Sequence, residues 1–161
     1  MQLKNQVEWA LHCCTILAAV PAGHYMPGKS LAELHGVPKE YLAKALQALS
    51  QANLVEGTLG PNGGYRLARK PSEITFLDIV EAVEGNASTF ACTEIRANNP
   101  TLPKGHCNRN VCGIAHVMWE ADAAWRNHLR GVRLSDVARM LKKNVEPKIL
   151  ANTLTWIKEH S

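Results

Sequence analysis

Three cysteines, Cys92, Cys107 and Cys112, share one stretch with the spacing C-x14-C-x4-C, and His106 and His116 lie beside them. Thiolates bind soft or borderline metals, so residue chemistry alone leaves zinc, an iron–sulfur cluster and unligated thiols all open. The spacing matches no zinc ribbon, which needs C-x2-C pairs. A second set of donors, Glu8 and His12, stands at i and i+4. On a helix that spacing puts a carboxylate and an imidazole on one face. It suits two ligands, and equally an exposed Glu–His pair or a histidine hydrogen-bonded at a dimer edge. Cys13 and Cys14, adjacent in the same segment, read as core thiols rather than ligands. His116 reads as a surface histidine that could replace a ligand.

The chain that must position these groups has 161 residues, 46% hydrophobic and 20% charged, with a formal net charge of +4. Those proportions belong to a folded protein and exclude disorder and collagen-like repeats. Five cysteines, clustered as they are, do not make a disulfide scaffold. The longest apolar run, Cys13 to Ala22, contains Thr15 and Pro21 and falls short of the roughly 18 residues of a membrane span. Lys4 followed by WALHCCTILAAV could pass for a signal peptide, but Glu8 and His12 interrupt it and its helical period continues. A cytoplasmic, thiol-reducing setting is therefore expected. Residues 96–161 hold eleven Lys/Arg against five acids, whereas residues 72–95 hold five acids and no Lys/Arg. A mild basic excess permits nucleic-acid binding without requiring it.

Periodicity predicts a first helix from about Leu3 to Ala19, with Leu3, Val7, Ala10, Cys14 and Leu17 on its buried stripe. Ser30 and Glu33 form a capping-box pattern for a short second helix closed by Gly36. Pro38 starts a third, PKEYLAKALQALSQA, with Leu42, Ala45, Leu46 and Leu49 on one face. Two helices joined by a short glycine-containing turn are a helix-turn-helix pattern, weak on its own. NLVEGTL, the turn GPNGG and YRLA then read as a β-hairpin, which makes the whole a winged helix-turn-helix. GPNGG lacks the spacing of a nucleotide-binding loop.

After Pro71, ITFLDIVEAVEG reads as an amphipathic helix with Ile74, Leu77, Val80 and Val83 on a face. Residues 86–111 have little periodicity and many breakers, the mark of a functional or disordered loop. A long helix from Gly113 to about Leu129 follows, with Ile114, Val117, Met118, Ala121 and Trp125 at helical spacing. Helices over Ser135–Lys143 and Pro147–His160 complete a mainly α chain.

The winged helix, GPNGGYRLARKP, ITFLDIVEAVEG and the cysteine loop leading into a long helix resemble the Rrf2 family of transcription regulators over about residues 1–140. The family includes regulators tied to iron–sulfur clusters, nitric oxide and cysteine metabolism. The resemblance implies a homodimer joined through the long helix, and a palindromic double-stranded DNA operator read in successive major grooves. The DNA contacts it implies are Lys39, Tyr41 and Lys44 on the recognition helix, Lys29 and Ser30 before it, and Asn62 and Gly63 at the wing tip. The lysines would mainly hold phosphates. Iron–sulfur relatives often carry other residues where this chain has Glu40 and Ala43, so its operator need not match theirs.

The resemblance also moves the loop cysteines toward a cluster, although their spacing departs from the more usual five-residue gaps. VEWALHCC resembles the start of a redox-sensing member with a 2Fe–2S cluster across its dimer interface. Carried over by position, Glu8 and His12 of one protomer and Cys107 and Cys112 of the other are the implied ligands. Cys92 is a possible substitute or a structural thiol, and Trp9, next to Glu8, a candidate switch. The implied domains are a DNA-binding domain over 1–85, a cluster loop over 86–112, and a dimerisation helix with C-terminal helices over 113–161. The implied function is a regulator, a repressor, whose operator affinity follows the redox or nitrosylation state of the cluster. A cluster-free regulator of the same fold answering to a protein or small molecule is the alternative. No nucleophile triad, paired carboxylates or cofactor fingerprint points to an enzyme.

Overall fold

The computed structural model describes the chain from Leu3 to Ser161 except for Asn62, Gly105 and Cys107. Helices α1 (Asn5–Leu17), α2 (Gly28–His35) and α3 (Lys39–Gln51) precede a hairpin of β1 (Val55–Thr58) and β2 (Gly64–Leu67). Then come α4 (Phe76–Glu84), α5 (Gly113–Gly131), α6 (Leu134–Asn144) and α7 (Pro147–His160). The architecture is mainly α, a winged helix-turn-helix with one long helix of 19 residues. Packing groups the chain into two compact units, one over Ala87–His128 and one running up to Asn86 and resuming at Leu129–Ser161. The second unit thus holds α6 and α7 together with α1 to α4 and the hairpin.

In that unit α1 is central. Val7, Ala10, Cys13, Cys14 and Leu17 are each at most 3% exposed, and α1 packs on α3, α4 and α6. Leu3, expected on this stripe, is instead exposed, because the helix starts two residues later. Leu42, Ala45, Leu46 and Leu49 of α3 fill the opposing side with Leu31, Leu54, Ile74 and Ile79. Ile157 brings α7 into the same core.

The Ser30 cap does not form. The Leu31 N–H already donates to the Pro27 carbonyl at 3.1 Å, so α2 begins at Gly28 and Ser30 lies inside it. Proline pre-sets the backbone for a helix start one turn earlier than the Ser–Glu pattern suggested. The stop at Gly36 is as expected, with φ +62°.

At the start of α4, the Thr75 hydroxyl accepts from the Asp78 N–H at 3.1 Å and the Asp78 carboxylate accepts from the Thr75 N–H at 2.8 Å. This capping box sits where the C-terminal helices return: Leu134 N–H donates to the Ile74 carbonyl and Phe76 N–H to that of Val132, both at 2.9 Å. Thr75→Ala is expected to cost about 1 kcal/mol, or roughly 2–4 °C in the midpoint of thermal unfolding. Thr75→Ser, which keeps the acceptor, should melt with the wild type in the same calorimetric comparison.

The wing is braced at its base. Its register pairs Val55 with Leu67 and Thr58 with Gly64, and Arg66 forms a cross-strand ion pair with Glu56. Tyr65 and Met26 exchange two backbone hydrogen bonds of 2.9 Å. Gly64 permits that approach, since a Cβ there would lie 2.4 Å from the Met26 carbonyl oxygen.

In the other unit, the segment after Gly85 is laid along α5. Thr89 Oγ1 donates to Asp122 at 2.9 Å, Trp119 Nε1 to the Phe90 carbonyl at 3.2 Å, and Arg126 to the Ala87 carbonyl at 2.7 Å. The loop also holds a 3₁₀ turn, Ile95–Asn98, that periodicity did not reveal. The apolar face expected on α5 stays largely uncovered: Ile114 is 71% and Val117 61% exposed, with Met118 and Trp119 also exposed.

Candidate functional site

Because Leu42, Ala45, Leu46 and Leu49 turn inward, α3 presents Lys39, Glu40, Tyr41, Ala43, Lys44 and Gln47 to solvent. Lys44 Nζ lies 5.9 Å from the Tyr41 ring centroid, so the two form one cationic, aromatic patch. Lys29 is exposed and Ser30 half-buried on α2. The Tyr65 ring packs against Gly28, fixing the wing beside the start of that helix. Gly63 is half-buried at the turn, its N–H donating to the Gly60 carbonyl at 3.0 Å. Asn62 lies outside the described residues.

Two contacts that sequence reasoning missed join α1 to this face. The half-buried Trp9 meets Tyr41 edge-on, ring centroids 6.5 Å apart. The His12 ring lies 5.6 Å from that of His35 at the end of α2. Burial, and secondarily the charge of His12, push His35 below the usual histidine range. Its Nε2 is shielded from solvent and has no hydrogen-bond partner among the described residues. No spacing rule links these residues, which the packing of α1 across α2 and α3 brings together.

Glu8 and His12 are exposed, one turn apart on α1. They line a groove of about 440 Å³ whose apolar walls are Leu3, Val7, Leu11, Phe76, Val137 and Leu141. Both are available as donors. Cys13 and Cys14, by contrast, are fully buried. Burial pushes the Cys13 thiol up to about 12 and that of Cys14 higher still, which keeps both protonated.

Cys112 is a half-buried thiol directly before α5. The backbone N–H groups of Ala115 and Ile114 donate to its sulfur and, with the Arg96 guanidinium, hold its pKa below the usual thiol value. A thiolate at a helix N-terminus beside an arginine is the form that ligates metal. Arg96 senses the charge of both Cys112 and the half-buried Cys92. It is fixed by Glu94, whose Oε2 accepts at 2.7 Å, and by the Asn110 carbonyl at 2.8 Å. Asn108 donates to the same Glu94 at 3.3 Å. Glu94 itself adopts a left-handed φ of +53°. This staple ties residues 94–96 to residues 108–110 of the loop, and no spacing rule pointed to it.

Cys107 lies outside the described residues. Among the described residues no three His, Cys, Asp or Glu side chains gather as a metal site. The donors that are described fit a group taking soft thiolate sulfur on one side and carboxylate and imidazole on the other. His116 faces solvent and pairs with Glu120 at 3.5 Å.

Comparison with known proteins agrees with this geometry at the level of fold and class. The family profile described as "Rrf2: Iron-dependent Transcriptional regulator" matches residues 3–140. The HTH-type transcriptional regulator NsrR of Geobacillus kaustophilus is 29% identical over 137 residues, spanning 85% of this chain and 89% of that protein. Protein rrf2 of Nitratidesulfovibrio vulgaris is 32% identical over 111 residues, 69% of each chain. The solved structure of T. potens IscR superposes with a TM-score of 0.69 at 20% identity, covering 94% of this chain and 96% of that one. CymR, the global cysteine regulator of B. subtilis, superposes with a TM-score of 0.67 at 22% identity over 87% and 98%. These two likenesses give the fold. The family description and the NsrR relative name transcriptional regulators rather than enzymes, and among the described residues no helix is long and apolar enough to cross a membrane. With the profile covering everything from α1 into α6, the chain belongs to the Rrf2 family of helix-turn-helix transcriptional regulators.

Proposed function

We propose that this regulator is a cytoplasmic, homodimeric repressor that binds a palindromic operator. In this reading a 2Fe–2S cluster held across the dimer interface switches its operator affinity. Glu8 and His12 of one protomer would be the ligands on one side, and Cys107 and Cys112 of the partner subunit those on the other. Cys92 stands by as a substitute. The observation that carries the reading is a pair of apolar surfaces, one in each unit, each beside candidate ligands. Cys112 directly precedes the uncovered apolar stripe Ile114, Val117 and Met118, and Glu8 and His12 line an apolar groove. A stripe of that kind calls for a cover. Seated in the groove of a second copy, it would deliver Cys112 to the two α1 donors.

When bound, the cluster supplies one-electron redox chemistry, and its non-thiolate ligands make it easier to reduce than an all-cysteine one. The chain's own residues supply the coupling. Trp9 rests on Tyr41 of the recognition helix and His12 on His35 of α2, so a changed charge at Glu8 and His12 repacks side chains that touch the DNA-reading helices. That biases two conformations of the helix-turn-helix pair. On the DNA side, Lys29, Lys39 and Lys44 would hold phosphates, and Ser30, Tyr41, Asn62 and Gly63 would complete the contact.

The test is operator affinity of anaerobically purified protein with the cluster oxidised and reduced. A difference of about tenfold or more is expected, within the usual range of coupling between two sites. Equal affinities would remove the redox switch. His12→Ala should alter the visible spectrum and the cluster content; an unchanged spectrum would strike His12 from the ligand set. A second reading, a cluster-free regulator responding to a small molecule, draws support from the α1 groove itself. Its volume of about 440 Å³ lies in the range of small-ligand pockets, roughly 300–1,000 Å³. A colourless anaerobic protein with full operator affinity would favour it.

A further inference from the structure

Leu59 is 100% exposed. It stands at the end of the wing, beyond the last paired residue of β1, Thr58. Among the described residues none covers it, and a leucine left in solvent at a hairpin tip adds no core burial. The tip around it is thin. Gly60 adopts a φ of +113° with open space around it, and Gly63 is packed so tightly that a Cβ there would lie 2.4 Å from the Thr58 carbonyl oxygen. Among the described residues 58–63, Leu59 is the one large side chain presented to solvent.

The base of the hairpin is correspondingly firm. The paired Tyr65–Met26 backbone bonds and the Tyr65 ring against Gly28 fix it to the start of α2. Its charge is one-sided: from Gly57 to Ser72 there is no Asp or Glu, while Arg66, Arg69 and Lys70 lie in that stretch. The one acidic side chain of β1, Glu56, is paired with Arg66. A narrow tip ending in one apolar side chain, with the cations Arg69 and Lys70 beyond the base of the hairpin, suits the DNA minor groove. That groove is about 6 Å wide and lined by phosphates. Leucine is among the side chains that wedge between base steps and bend the duplex.

We propose that Leu59 is a minor-groove wedge that determines specificity at the operator flanks. It favours pyrimidine–purine steps such as TA and CA/TG, which unstack at low cost, outside the base pairs facing α3. This rests on the DNA-binding reading above and adds to it a part for the wing distinct from phosphate contact. An apolar contact releases no counterions, so its removal should weaken binding without changing the salt dependence.

The experiment uses the full-length protein and a pool of random duplex DNA. The wild type selects its motif; then wild type, Leu59→Ala and Leu59→Met are compared on that sequence for affinity between 50 and 200 mM salt and for bending by end-to-end energy transfer. Leu59→Ala is expected to select the same half-sites, to lose the flank preference, to bend the duplex less and to bind roughly tenfold more weakly at an unchanged salt slope. Leu59→Met should stay near the wild type. Leu59→Ala retaining both flank preference and bend would overturn the proposal. So would a loss accompanied by a shallower salt slope, which would signal lost phosphate contacts, or a changed oligomeric mass with DNA binding intact, which would make Leu59 a protein contact. A wild-type pool with no enriched motif would remove the DNA-binding reading itself, and the wedge with it.

Discussion

Anaerobically purified Cys112→Ser protein is expected to lose the visible charge-transfer absorption and the bound iron and sulfide, while keeping the helical circular dichroism of the wild type. Serine rather than alanine isolates the ligand effect. The Cys112 sulfur accepts backbone N–H groups of Ala115 and Ile114, which makes it a cap for α5 as well as a candidate ligand. A hydroxyl can keep the cap, whose removal would cost about 1 kcal/mol, but it cannot supply the soft thiolate that iron–sulfur chemistry needs. The thiol is held below its usual pKa by those N–H donors and by Arg96, so deprotonation for ligation costs less here than in a solvated cysteine. The effect should therefore be close to total. Wild-type iron content in Cys112→Ser would remove Cys112 from the ligand set and turn attention to Cys92 and Cys107.

The second large effect is expected at Gly64. Alanine there would place its Cβ 2.4 Å from the Met26 carbonyl oxygen and 2.8 Å from the Pro27 nitrogen, and both are backbone atoms. No flexible side-chain end can swing aside, so either β2 or the 26–27 segment must move. Either shift breaks the paired hydrogen bonds between Met26 and Tyr65. Overpacking of this kind typically costs about 1–3 kcal/mol, occasionally more, or roughly 2–12 °C in the unfolding midpoint of a chain this size. DNA binding should fall further than stability, because the wing is displaced from the start of α2 in every folded molecule. A Gly64→Ala protein that melts with the wild type and binds DNA equally would show that the Met26–Tyr65 pairing is dispensable.

The elements of this fold were mostly legible because each is written locally. The stripe of α1, the stop at Gly36, the Leu42–Leu49 face of α3 and the glycine-rich wing turn appear in the structure where periodicity and breakers put them. The departures have local causes too. Pro27 started α2 ahead of Ser30, and Leu3 fell outside a helix that begins at Asn5. The functional surface was less legible because it is made of contacts between elements. Trp9 against Tyr41 and Arg96 between Glu94 and Asn110 pair residues that no period relates. The α5 stripe shows a different limit. Its spacing identified the helix, but the same spacing is written for a face buried within the chain and for one awaiting a second molecule.

The burial of α1 restricts how any signal can travel along it. Its inward stripe is sealed, with Ala10, Cys13 and Cys14 at 0% exposure, while its outward face carries Glu8 and His12. Turning the helix about its own axis to move the outward residues would drag that stripe out of the core, and well-packed interiors resist such displacement. Rotation as a rigid body is thus the most expensive motion available to α1. What remains inexpensive is a change of rotamer at its half-buried margin, where Trp9 meets Tyr41, or a small slide along the axis. The helix behaves less like a lever than like a fixed rail, with the moving parts mounted on its edge.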